Sequence, residues 1–294
     1  MPALLCFGMG YCAEALALRR RAAGWRILGT VRSADRIREL AGRGLAACTL
    51  EEVEASGILA EPGLHLVVSA PPTDAGDPIL AALGPRLEAA SRNIAWAGYL
   101  STTGVYGDHQ GGWVDEDTPV QPLSDRTRRR VEAEQAWLAW GKAAHVPVNV
   151  LRLAGIYGPG RNQLVSLREG TARRIMKKGQ VFSRIHVDDI ASVLEAAMER
   201  KPPSRIFNVC DDEPAPPQEV VAFAAGLLGI PPPPLEDYEA ARATLSPMAA
   251  GFYQEAKRVR NDRIRQELGV RLAWPTYREG LSGLLRTLDN AGPA

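Results

Sequence analysis

"FGMGYCAEAL", residues 7–16, decides how this chain is read. It places Gly8-x-Gly10-x-x-Ala13 directly after a short apolar run, "ALLCF" (3–7), and at the start of "CAEALALRRRAAG" (12–24). The run reads as a buried strand. The segment after it, with Ala and Leu on one face and Gly24 at its end, reads as a helix. Gly8 makes the tight turn between them, Gly10 lets backbone approach a pyrophosphate, and Ala13 allows close packing of helix on sheet. The amino end of that helix then faces the phosphates with unpaired N–H groups. The plainer alternative is a tight strand–helix turn that binds nothing.

Outward from this turn the same alternation continues. "WRILGTV" (25–31), "LHLVVSAPP" (64–72), "IAWAGYLST" (94–102) and "VPVNVLRLAGIYG" (146–158) read as strands. Between them "ADRIRELAGRG" (34–44), "PILAALGPRLEAAS" (78–91) and "VEAEQAWLAWGKAAH" (131–145) read as helices. Strand–helix alternation of this length predicts an α/β fold, a doubly wound parallel sheet covered on both faces. Past residue 207 the pattern loosens into proline clusters, "DDEPAPPQ" and "IPPPPLED", with helices expected around 216–229, 248–268 and 276–289. They predict a smaller, mostly helical C-terminal lobe that closes over the carboxyl edge of the sheet, where such folds bind ligands.

Composition narrows the function classes. The 294 residues are 46% hydrophobic and 23% charged with a net charge of +1, which favours neither nucleic acid nor an acidic membrane as partner. No stretch approaches 18 apolar residues, so no membrane span is expected, and the start of the chain lacks the pattern of a signal peptide. Cys6, Cys12, Cys48 and Cys210 form no CxxC and no metal set with histidine. The expected setting is cytoplasmic, with reduced thiols and no metal.

The second strand ends in Gly29-Thr30-Val31-Arg32-Ser33, without the carboxylate that usually holds a ribose 2′-hydroxyl. Arg32 and Ser33 suit a 2′-phosphate instead, so NADP(H) is expected rather than NAD(H). The same reading places Tyr11, Cys12, Ala70 and Pro71 beside the cofactor.

Four later stretches together resemble the extended short-chain dehydrogenase/reductase family, the NAD(P)-dependent epimerases and dehydratases. They are "LSTTGVYGD" (100–108), "LRLAGIYGPGRN" (151–162), "SRIHVDDIASVLEAAME" (183–199) and "FNVCDDEP" (207–214). The resemblance implies a Rossmann-type cofactor domain over 1–160 plus about 183–210, and a substrate-binding lobe over about 161–182 plus 211–294. It also gives an address to "PLSDRTRRRVEAE" (122–134), where arginine takes four of the five positions 126–130. Aligned on Pro122, Ser124 and Glu134, the family's catalytic tyrosine falls on Arg126 and its lysine on Arg130. Arginine stays protonated at physiological pH, so Arg126 cannot serve as a general base. Arg130 keeps the capacity to bond ribose hydroxyls.

The resemblance implies further positions. Thr102 takes the family's catalytic Ser/Thr place, Tyr106 is a titratable candidate beside it, and Thr103, Tyr157, Arg161, Arg184 and Asn261 are expected around the substrate. Thr103 and Gly104 stand where sugar dehydratases carry Asp-Glu, which argues against that reaction. Gly155 and Phe182 replace an asparagine and an arginine of the nucleotide-sugar branch. His186 opens a helix, and Lys257 and Arg258 lie on a basic stripe that either lines the cleft or is a solvated helix face. The expected activity is oxidoreductase- or epimerase-like chemistry on a hydroxy, keto or sugar-like small molecule without the usual tyrosine. The rival expectation is a non-catalytic NADP(H) sensor. The resemblance leaves a homodimer open.

Overall fold

The computed structural model describes residues 1–290. In chain order β1 (Ala3–Phe7), α1 (Tyr11–Ala22), β2 (Arg26–Thr30), α2 (Ala34–Gly42), β3 (Ala47–Cys48), β4 (Leu64–Val68) and α3 (Pro78–Ala89) come first. β5 (Ile94–Thr102), β6 (Trp113–Val114), α4 (Asp125–Ala144), β7 (Val148–Leu153), β8 (Gly155–Tyr157), α5 (Gln163–Arg168), β9 (Arg174–Met176) and β10 (Arg184–His186) follow. Next are α6 (Val187–Arg200), β11 (Arg205–Val209), α7 (Pro217–Leu227), β12 (Leu235–Asp237), α8 (Tyr238–Ala241), α9 (Pro247–Phe252), β13 (Arg258–Val259), α10 (Asp262–Leu268) and α11 (Tyr277–Asn290).

Seven of these strands pair in parallel in the order β11-β7-β5-β4-β1-β2-β3. The α/β class read from the sequence is therefore the observed one, and β1 shows why. Its side chains alternate between two cores: Leu4 and Cys6 pack with α1 and α6, while Ala3, Leu5 and Phe7 pack with α3 and α4. A strand buried on both faces reads as an unbroken apolar run. Each fully buried leucine or phenylalanine contributes about 1.5–3 kcal/mol.

Strand order reverses between β1 and β4, and that is where an open α/β sheet leaves a crevice at its carboxyl edge. Side chains cap four of the helices: Ser33 for α2, Asp77 for α3, Ser124 in a capping box with Thr127 for α4, and Asn162 for α5. The capping box starts α4 at Asp125, so the arginine run lies inside its first turns rather than ahead of it.

Two expectations need correction. The span 146–158 is not one strand: β7 belongs to the large sheet, whereas β8 leaves it after Ala154 and pairs with β10. The span 248–268 is not one helix. α9 ends at Phe252, and the chain then runs extended so that β13 can pair with β6, before α10 begins. Backbone pairing with a distant strand overrides the local helical pattern there. Among the described residues no helix is long and apolar enough to cross a membrane.

The core also carries a pH-sensitive group. His65, 5% exposed, lies between Trp25 and Trp96, with ring centroids 5.0 and 6.4 Å away. Burial first, and the charge of Lys201 second, push its pKa down to about 4. An unfolded imidazole binds a proton from about pH 6.5, so the folded state is at full stability above that value and loses it as pH falls toward the folded pKa. Between about pH 8 and pH 5 this one group should cost about 2 kcal/mol. Urea unfolding of the wild type and of His65→Phe measures it: the variant should show a flatter dependence, and equal slopes would refute the assignment.

Candidate functional site

The first turn is built as the glycines demand. Gly8 has φ +89°, and a Cβ there would lie 2.8 Å from Ser69 Oγ and 3.0 Å from Ala70 N, so the left-handed turn and the close β4 terminus both require glycine. Ser69 N and Ala70 N donate to Phe7 O across the switch point, at 2.8 and 3.0 Å. Gly8 N donates to Thr30 Oγ1 at 2.9 Å, which fixes the turn to β2. A Cβ on Gly10 would meet nothing within 4 Å, and no side chain caps α1 at this residue. The opening N–H groups of α1 therefore have no side-chain cap. With the positive end of the helix dipole behind them, this arrangement can take a diphosphate.

Around the turn the other expected positions fall as follows. Tyr11 is half-buried and its hydroxyl donates to Pro159 O at 2.9 Å. Burial pushes the Tyr11 hydroxyl up to about 12 and the Cys12 thiol up to about 11. Arg161 exerts its charge on both, so it stands near the start of α1 as well as at the cleft. Arg32 is exposed at the end of β2. Ser33 Oγ accepts from Arg36 N at 3.3 Å as the α2 cap, which leaves only its proton for a ligand. Ala70 and Pro71 follow β4 on the far side of the crevice.

A cleft of about 730 Å³ opens over the carboxyl ends of β5 and β7. Thr102 and Thr103 form its floor, Tyr157, Arg161 and Arg184 line it, and Arg126 stands at one side. Thr102 Oγ1 accepts from Gly104 N at 3.1 Å, so its own proton is free to point into the cleft.

The opposite wall carries two residues of the extended segment after α9. Glu255 and Lys257 both line the cleft, their side chains 19% and 8% exposed, with Lys257 Nζ 3.0 Å from Glu255 Oε2. The segment is clamped in place. Gln180 Nε2 donates to Glu255 O at 2.7 Å, Lys177 Nζ donates to Tyr253 O, and Asp108 Oδ1 accepts from Ala256 N at 2.8 Å. Lys257 Nζ also donates to Gly107 O at 3.0 Å. A Cβ placed on Gly104 would lie 3.2 Å from Thr127 Cγ2, 3.4 Å from Thr102 Oγ1 and 3.6 Å from Glu255 Oε1, so carboxylate and hydroxyl both border the space above this glycine. Burial raises the Glu255 pKa and lowers that of Lys257, against their mutual attraction. Both groups are pushed toward their neutral forms, which eases proton movement across the bond between them.

Lys257 was a sequence candidate; Glu255 was not. The signal available was an i, i+2 pair in the run leading into β13, which shares one face if the run is extended, hidden because the stretch reads as helix.

Three expected residues are placed elsewhere. Tyr106 is fully buried outside the cleft; its hydroxyl donates to Asn208 Oδ1 at 2.7 Å, and Arg152 stacks 4.8 Å from its ring. Burial pushes its pKa up to about 12, so it holds the sheet rather than a proton in transit. Asn261 Nδ2 is spent on Cys210 O and Asp212 Oδ1, both at 2.8 Å, and Asn261 does not line the cleft. Arg130 Nη1 donates to Tyr99 Oη at 3.0 Å and Leu100 O at 2.8 Å, clipping α4 to β5. His186 caps α6 through Asp188 N, packed between Tyr157 and Trp274. Arg128 and Arg129 pair with Asp125 and Asp74 at the surface.

A profile of the NAD dependent epimerase/dehydratase family matches residues 87–210. The chain is 49% identical, with a TM-score of 0.88, to a solved structure of a functionally unknown conserved protein from Silicibacter pomeroyi DSS, over 98% of this chain and 100% of that one. It is 27% identical over 248 residues to Protein YeeZ of Escherichia coli (strain K12), 79% of this chain and 86% of that protein. Over 184 residues it is 34% identical to the 3-diazoavenalumate denitrifying reductase of a Streptomyces species, 57% of this chain and 58% of that protein.

Proposed function

We propose that this chain, which belongs to the NAD-dependent epimerase/dehydratase family, is an NADP(H)-dependent oxidoreductase for a small hydroxy or keto compound that uses Glu255 in place of a catalytic tyrosine. The observation that carries the reading is the buried Glu255–Lys257 pair in the wall of a cleft that the Pro159–Arg161 turn joins to the start of α1. A nicotinamide, when bound, supplies the hydride. Glu255 gives its proton to the carbonyl oxygen as that carbon is reduced and takes another from water in the open cleft before the next turnover, while Lys257 Nζ, 3.0 Å away, holds the carboxylate in place. Thr102 Oγ1 steadies the same oxygen. Arg126, permanently charged, moves no proton and instead favours the anionic form of whatever lies beside it. The reductive direction is supported by the Streptomyces relative, which is a reductase.

In this reading the amino end of α1 with Gly8 and Gly10 holds the diphosphate, Ala70 and Pro71 wall the crevice, and Arg32 grips the 2′-phosphate. Titration calorimetry tests the cofactor. NADPH should bind in the micromolar range, and Arg32→Ala should weaken it about tenfold, the worth of one charge-assisted contact, while barely changing NADH. No binding of either nucleotide would end the proposal. Tight NADPH binding without turnover on a broad carbonyl panel would favour the sensor instead.

A further inference from the structure

In the lining of the cleft a cation faces the ligand space without an ion-pair partner within 4 Å among the described residues. Arg184 projects from β10 and lines the cleft. Its Nη1 is anchored to two backbone carbonyls, Phe182 O at 2.9 Å and Ala215 O at 3.1 Å. Among the described residues no carboxylate lies within 4 Å of the guanidinium, and its hydrogen bonds are those of Nη1 alone. Asp211 is the acid that acts on it from farther off. That carboxyl is itself buried, takes only a weak bond from Glu213 N at 3.3 Å, and is pushed well above the usual carboxylate range by burial. The Arg184 charge works against that rise, but the carboxyl forms no ion pair with the guanidinium within 4 Å.

Beside the guanidinium stands Tyr277, 1% exposed, its ring 6.0 Å from Arg184 Cζ. The Tyr277 hydroxyl is buried and has no hydrogen-bond partner, yet the residue lines the same cleft. A buried phenol normally finds a partner, and a buried cation normally finds an anion. Both vacancies lie on one wall. The surfaces around them are apolar or aromatic, from Phe182, Tyr157, Val165, Val220 and Leu281.

We propose that Arg184 and Tyr277 form a subsite for the carboxylate of an aromatic or otherwise apolar substrate. One guanidinium edge and one phenol present donors to a planar monoanion. A phosphate dianion would call for more positive charge than this wall supplies. Charge fixed at Arg184 orients the substrate so that its reactive carbon lies toward Thr102 and Glu255. The substrate class is thus a carboxylic acid with an apolar body and a reducible group at its other end. It rests on the oxidoreductase reading of the cleft, but the anion site can be tested without turnover.

Calorimetry on the full chain, with and without saturating NADPH, uses 3-phenylpropanoate, its neutral amide and inorganic phosphate as probes. The carboxylate is expected to bind at least tenfold more tightly than the amide, and more tightly than phosphate. Arg184→Gln should remove that preference while leaving NADPH binding unchanged. Because Arg184 also holds two carbonyls, Tyr277→Phe supplies the second arm. It deletes only an unpartnered hydroxyl, so the fold should survive, and carboxylate affinity should fall several-fold with amide affinity unmoved. Arg126→Gln, at the other side of the cleft, should leave the preference intact. Equal binding of acid and amide, tighter binding of phosphate, a preference lost with Arg126→Gln instead, or indifference to Tyr277→Phe in folded protein would each overturn the subsite. Arg184-dependent binding of the acid to a protein that takes no dinucleotide would leave the subsite standing and sink the oxidoreductase.

Discussion

Glu255→Gln should reduce NADPH-dependent turnover by a factor of roughly 10²–10⁴, the range for loss of a positioned general acid, with NADPH binding unchanged. The substitution keeps shape and hydrogen bonding but leaves no exchangeable acid beside Thr102. Its structural cost is limited, because Lys257 Nζ retains Gly107 O and the backbone clamps on the segment do not involve the carboxylate. The pH profile gives an independent readout. Reduction needs the protonated carboxyl, and burial raises the Glu255 pKa, so the rate should decline as pH rises through that raised value. Glu255→Gln should lose this limb as well as most of the rate. Lys257→Met should keep hydride transfer slow but measurable, with the limb displaced upward because the cation no longer favours the carboxylate. A Glu255→Gln protein that reduces substrate at the wild-type rate would remove the proton route and return the lost-tyrosine problem unsolved.

The Glu255 site shows where sequence reasoning reached and where it stopped. The β1–turn–α1 unit was legible because everything that shapes it is local: an apolar run, Gly8 at φ +89°, an open Gly10 and an uncapped helix. Thr102 and Thr103 were reached through the resemblance of "LSTTGVYGD" to the family's motif, and the structure places both in the cleft lining where β5 ends. The stretch from 253 to 261 obeys distant partners instead. Lys177 and Gln180 hold its carbonyls, Asp108 holds an amide, and β6 pairs with β13. Glu255, Lys257 and Val259 then share the cleft face at a period of two, although the surrounding residues suggest a helix. Misread as helix, the segment gave Asn261 a site role and hid Glu255. Tyr106, a catalytic candidate whose turn also reads as structural, takes the structural place: its partners Arg152 and Asn208 lie on β7 and β11, beyond any local signal.

Those distant partners support the second large effect, in stability. Glu134 and Arg152 are 2% and 4% exposed, and their side chains meet through Arg152 Nη2 to Glu134 Oε2 at 2.7 Å and Nε to Oε1 at 3.1 Å. Ser101 Oγ donates to the same carboxylate, Arg152 covers the Tyr106 ring, and Tyr106 reaches Asn208, so α4, β5, β7 and β11 are tied in one buried network. Glu134→Ala leaves the guanidinium uncompensated in the core and should cost about 3–5 kcal/mol, read as a lowered urea midpoint. Ser101→Ala, which removes one donor to a charged acceptor, should cost only about 1.5–3 kcal/mol. Glu134→Leu combined with Arg152→Met should recover much of the loss, since an apolar pair carries no desolvation penalty. The same double variant should disturb the cleft, because Ser101 and Leu153, the neighbours of Thr102 and Arg152, are both part of its lining. Stability recovered without activity would mean that the ion pair is kept for the alignment of the β5 and β7 ends, with stability a secondary benefit. A Glu134→Ala midpoint within about 1 kcal/mol of wild type would show that water or rearrangement relieves the buried charge, and the alignment argument would fail with it.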